Sequence, residues 1–157
     1  MAGKAKKSPK RQDFSTSFTV DQTPAEVFAA INNVGGWWTG EPGVEGTAMK
    51  LGDVFTYRYG DLHYSKQKVT ELVTGERIVW HVTDARLTHA NDQTEWKGTD
   101  ITFDLSKQGE RTEVRFTHRG LVSDLDCFDA CSSGWRYYVD GRLPKFIANG
   151  KASRRSK

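Results

Sequence analysis

The hydrophobic period along this chain switches from strand to helix, back to strand, and to helix again. Phe14, Thr16, Phe18 and Val20 alternate with polar neighbours, which predicts an opening strand with one inward face. Thr23-Pro24-Ala25-Glu26 then supplies an N-cap hydroxyl, a proline at the first helical position and a glutamate at the third, the pattern of a capping box. Val27, Ala30, Ile31 and Val34 follow at helical spacing, and Asn33 with Gly35-Gly36 predicts a break before Trp37 and Trp38.

Between residues 54 and 118 the period is two, with turn signals at Gly60-Asp61, Gly75-Glu76 and Gly109-Glu110. Four sets share faces: Phe55, Tyr57 and Tyr59; Ile78, Trp80 and Val82; Ile101, Phe103 and Leu105; Val114, Phe116 and His118. They predict an antiparallel meander with these sets on its concave side. Residues 62–72 carry polar groups on both parities, which predicts a bulge or a solvent-facing edge, and residues 84–94 show no period and read as a loop.

After the strand at 112–118 comes a long amphipathic helix in which Phe128, Cys131, Trp135 and Tyr138 recur three or four residues apart on one face. A face this aromatic covers either a closed core or a cavity, and it is read here as the lid of a cavity. The helix is expected to begin at 124–126 and to stop at Asn149-Gly150. Pro144, which removes a helical hydrogen bond, predicts a kink at 140–143, with Gly141 helping.

At 157 residues the chain suits one domain, placed at 13–150 between two basic tails, 1–12 and 151–157, which are predicted to be disordered. Charge changes the picture once those tails are set aside. They hold nine of the 23 Lys and Arg and no acid, so the body has 14 basic against 20 acidic residues and repels a phosphate backbone. No nucleic-acid partner is expected. The chain lacks the apolar core of a signal peptide and any run of about 20 apolar residues, so no membrane span and a cytoplasmic location are expected. Cys127 and Cys131 lie one helical turn apart, where a disulfide would constrain almost nothing.

Strand, capped helix, double tryptophan, curved sheet and long C-terminal helix, in that order, resemble the helix-grip fold of the START-like, or SRPBCC, superfamily. Phe18-Thr-Val-Asp-Gln-Thr-Pro-Ala-Glu-Val-Phe28, Gly36-Trp37-Trp38, Gly52-Asp-Val-Phe-Thr-Tyr57 and Thr112-Glu-Val-Arg-Phe-Thr-His-Arg-Gly-Leu121 are similar to the bacterial branch named for the activator of the heat-shock-protein-90 ATPase, as are Gly134-Trp135 and Gly150. The resemblance implies an α+β fold, a curved antiparallel β-sheet wrapped around a long C-terminal α-helix. It also implies an internal cavity of the kind that holds a hydrophobic ligand in many relatives. The eukaryotic activator works through a separate N-terminal domain with no counterpart in this sequence, so the family name is read here for its fold.

Candidate ligand contacts follow from the aromatic inward positions: Trp37, Trp38, Tyr57, Tyr59, Trp80, Phe103, Phe128, Trp135 and Tyr138, joined by Cys131 and His118. Trp80 and Phe103, deep in the sheet, are expected to pack; Trp37, Trp38 and Tyr138 are expected nearer the mouth. His118 stands in register with Val114 and Phe116, either as a polar contact for a ligand or as a satisfied core histidine. A Cys131–His118 nucleophilic pair lacks an orienting third residue, and Cys127 with Cys131 lacks the further ligands a zinc site needs. No catalytic residue, metal or cofactor is assigned. Three function classes remain: a binding module for a small apolar or aromatic molecule, a domain engaging a chaperone or other protein, and a cavity enzyme of the cyclase or hydrolase type.

Overall fold

The computed structural model describes residues 12–155 except His89, Asn91 and Asp126, with backbone alone from 150; the basic segment 1–11 lies outside the described residues. Strand β1 (Phe14–Val20) leads into helix α1 (Pro24–Asn32), whose Thr23 hydroxyl accepts from the Glu26 amide while Glu26 accepts from the Thr23 amide, the predicted capping box. A short 3₁₀ turn (Val34–Gly36) then delivers Trp37 and Trp38 into the interior. Gly36 lets the Phe146 ring lie against that turn, because a Cβ there would meet the ring at 2.3 Å and push it away.

The remaining strands are β2 (Pro42–Gly46), β3 (Val54–Tyr59), β4 (His63–Val73), β5 (Arg77–Leu87), β6 (Asp100–Gln108) and β7 (Arg111–Arg119). They form one antiparallel seven-stranded sheet in the order β1-β7-β6-β5-β4-β3-β2, so β1 crosses over to close the far edge. The four inward sets are buried as predicted except Tyr59, which is 42% exposed at the rim.

Three expectations are corrected. Of the bulge or edge expected at 62–72, the bulge is found and the edge is not: β4 (His63–Val73) lies between β3 and β5, with register shifts at Lys66/Gln67 and Val69/Glu71. The polar residues there misled because Ser65 and Gln67 point inward and are fully buried. The strand at Arg77–Leu87 runs into the stretch read as a loop. Asp84 pairs with Lys66 and Val82 with Gln67, so Thr83 is an extra residue that switches the buried parity from Val82 to Ala85 and Leu87 and erases the simple period. Edge strand β2 was not expected, since Pro-Gly-Val-Glu-Gly has one large apolar residue to betray it.

The C-terminal helix consists of α2 (Phe128–Trp135), a π-helical segment (Arg136–Arg142) and α3 (Leu143–Arg155). Where Pro144 predicted a kink at 140–143 the helix carries the π segment, and the Leu143 amide reaches back to the Tyr138 carbonyl. The helix starts at Phe128 and does not stop at Asn149-Gly150 but runs on to Arg155. Sheet, α1 and C-terminal helix enclose a core in which Trp80 stacks on Trp37 and Trp38 and meets Phe55 and Phe103 edge to face.

Candidate functional site

Between the β3–β4 end of the sheet and the C-terminal helix lies a chamber of about 210 Å³. Strand alternation supplies Tyr57 from β3 and His63 from β4; the turn after α1 supplies Trp38; the loop before β6 supplies Trp96. The helix contributes Cys131, Trp135 and Tyr138 at the predicted spacing, and beside them Ala130 and Gly134, one residue earlier than Cys131 and Trp135 respectively. Those two small residues create the space: a Cβ built on Gly134 meets nothing within 4 Å.

The walls are aromatic faces and edges. Trp38 stacks on Tyr57 at 4.2 Å and tilts against Trp135 at 4.9 Å; Trp96 stacks on Trp135 at 5.6 Å. Trp96 also lies edge-on between two imidazoles, His63 at 4.6 Å and His118 at 4.7 Å. Its indole N–H donates to Cys131 Sγ at 3.3 Å. At the outer wall the hydroxyls of Tyr57 and Tyr138 both donate to the Thr39 carbonyl, at 2.8 and 2.6 Å, and lie 3.2 Å apart. Burial, then the neighbouring Tyr138 hydroxyl, pushes the Tyr57 phenol up, so it remains a neutral donor.

His118 stands behind this wall, fully buried. The Trp135 indole, a donor only, gives its proton to His118 Nδ1 at 2.9 Å, which fixes the other tautomer. His118 Nε2–H therefore donates to Thr99 Oγ1 at 2.8 Å, and the Thr99 hydroxyl donates onward to the Trp96 carbonyl at 2.6 Å. Burial, and secondarily His63, pushes its pKa down to about 3. Both ring nitrogens are used, leaving no free valence for a ligand or for the Cys131 thiol.

Of the eleven residues singled out from sequence, Trp38, Tyr57, Tyr59, Cys131, Trp135 and Tyr138 meet at the chamber. Trp37, Trp80 and Phe103 lie deeper, in the fully buried core, and do not border it. His118 is the satisfied core histidine of the two alternatives, and Phe128 packs half-buried against the core away from the chamber. Sequence reasoning missed Trp96, a lone tryptophan in a polar loop, and His63, whose inward parity with the buried Ser65, Gln67 and Val69 was masked by their polarity. Cys127 is buried, its thiol pushed up by hydrogen bonding to Cys131 and then by burial. Among the described residues no cluster of three His, Cys, Asp or Glu is placed to hold a metal ion, and no helix is long and apolar enough to cross a membrane.

A curved antiparallel sheet closed by a long C-terminal helix defines a helix-grip protein of the START-like superfamily. Residues 21–147 match the family described as Activator of Hsp90 ATPase homolog 1-like protein, and the chain belongs to that family. Among solved structures it is similar to the Aha1 dimer of Colwellia psychrerythraea, at 23% identity and a TM-score of 0.65, over 82% of this chain and 90% of that one. A Mesorhizobium loti protein matches at 12% identity with a TM-score of 0.69, over 88% and 98%. CalU16 of Micromonospora echinospora matches at 16% identity with a TM-score of 0.60, over 88% and 78%. These likenesses are of fold. No curated protein matched the chain at a significant level.

Proposed function

We propose that the protein is a binding module that holds a small apolar or aromatic molecule in the chamber between the sheet and the C-terminal helix. The observation that carries this reading is the chamber itself: about 210 Å³ walled by Trp38, Tyr57, Trp96 and Trp135, beside a core that is otherwise closely packed. A volume below the usual range of about 300–1,000 Å³ for ligand pockets selects a single ring or a short chain rather than a sterol or long acyl tail. The family supports the reading, because a cavity in this position is common to the fold.

Thermal unfolding against short fatty acids, aromatic acids and phenylalkanols tests it. A ligand at 100 times its dissociation constant stabilises by about 2.7 kcal/mol, a rise of several degrees in Tm for a domain this size. The control is Gly134→Phe, whose ring enters the chamber mouth from a helical position with open space at Cβ. A saturable rise in wild type that is absent from Gly134→Phe supports the module. A rise that survives in Gly134→Phe, or no rise with any compound, overturns it.

One observation favours a second reading, in which the domain engages a protein partner. Met49 and Leu51, 57% and 66% exposed, precede β3 with exposed Val54 beside edge strand β2. Under that reading Gly134→Phe retains full partner affinity while Met49→Glu loses it.

A further inference from the structure

The chamber opens onto a vestibule bordered by Thr39, Glu41, Ser133 and Tyr137, and the two spaces share Tyr59, Gly134 and Tyr138. Chamber and vestibule thus adjoin across these three residues, an apolar space beside a more polar one. The fixed charges around them have one sign, and His63 is the imidazole on the chamber wall. No Lys or Arg borders either space, and Glu41 is the one carboxylate. Glu41 is exposed and enters no ion pair among the described residues.

Tyr59 and Tyr137 are 42% and 58% exposed and, with Tyr138, present electron-rich rings to the vestibule. The hydroxyl protons of Tyr57 and Tyr138 are committed to the Thr39 carbonyl, so what these phenols offer outward is oxygen lone pairs rather than donors. An anion entering here would face a carboxylate and π faces, with the Ser133 and exposed tyrosine hydroxyls but no Lys or Arg to receive it. An ammonium group would find a carboxylate and aromatic faces within a body that is itself about six charges negative.

We propose, resting on the ligand-binding reading above, that the site takes an amphiphilic amine: an apolar or aromatic body in the chamber and an ammonium head in the vestibule, between Glu41 and the tyrosine rings. The chamber accepts the body, and the vestibule decides the charge of the head.

Tryptophan fluorescence titration with phenylbutylammonium, phenylbutanol and phenylbutyrate, which share a body and differ in the head, tests this. The amine binds about fivefold tighter than the alcohol, and the acid binds more weakly than either. Glu41→Gln brings the amine to within about twofold of the alcohol and leaves the alcohol unchanged. The inference is overturned if the acid binds as tightly as the amine, or if the amine keeps its full advantage in Glu41→Gln. Should the alcohol bind wild type with no preference among heads, this inference fails and the chamber reading stands. If none of the three binds, both fail.

Discussion

At the scale of single residues, His118 ties stability to pH. Its folded pKa of about 3 lies below the 6.5 of a free imidazole. Above pH 6.5 neither folded nor unfolded chain holds the proton and the stability is fully present. As the pH falls the unfolded chain protonates first, so stability is lost progressively down to about pH 3. At pH 5 the loss from this group is about 2 kcal/mol. Urea unfolding at pH 7 and pH 5 should therefore show a difference about 2 kcal/mol larger in wild type than in His118→Gln, and equal differences would refute the argument. Gly134 is the converse case, a residue that matters for what it lacks. Gly134→Ala adds a methyl in open space on a helix and should raise stability by about 0.5–1 kcal/mol in a thermal melt; a decrease would mean the site is more crowded than its geometry indicates.

Among elements, the decisive contacts gather around the π segment. Thr16 of β1 donates to Asp140 at 2.8 Å, Arg142 donates to the Trp37 carbonyl at 3.3 Å, and Tyr138 donates to Thr39. The segment is thus bonded both to the edge strand and to the turn carrying the tryptophan pair. Tyr57 from β3 and Tyr138 from the helix converge on one carbonyl, so each can substitute for the other as its donor. Tyr57→Phe and Tyr138→Phe should each cost about 0.5–1 kcal/mol, whereas the double variant strands the Thr39 carbonyl and should cost more than the two together by about 1 kcal/mol. Strict additivity in a double-mutant cycle would show that the two hydroxyls act independently. The same convergence explains why the chamber mouth is legible at element level only after folding: Thr39 and Tyr138 are 99 residues apart in the chain.

For the whole molecule, charge and shape divide the work. The acidic body disfavours nucleic acid, and the basic segment 1–11 is the N-terminal contributor of positive charge. A chain lacking residues 1–11 and 151–157 should not retain single-stranded oligonucleotides in filter binding at moderate salt; undiminished retention would place the affinity on the body and refute the charge argument. Shape concentrates the other interaction at one end of the grip, where the aromatic chamber meets the vestibule. Binding there is expected to stabilise the entire domain, since the site spans β3, β4, the turn after α1 and the C-terminal helix.

Period, caps and turns are local, so β1, α1, the inward faces of β3, β5, β6 and β7, the aromatic helix face and the irregularity before Pro144 were all readable from residue order. The segments Phe18–Phe28, Gly36–Trp38, Gly52–Tyr57 and Thr112–Leu121, with Gly134-Trp135 and Gly150, indicated the family as a set, in the order of the elements that carry them. What escaped was whatever depends on residues distant in sequence. The extra Thr83 shifts parity in mid-strand, and only the pairing with β4 reveals it. Ser65 and Gln67 look solvent-facing until the folded core buries them, and Trp96 becomes a wall only when its loop folds against Cys131 and Trp135. The chamber is the extreme case. A sequence records the side chains that are present, whereas an unfilled volume beside Ala130 and Gly134 exists only once distant elements have packed around it.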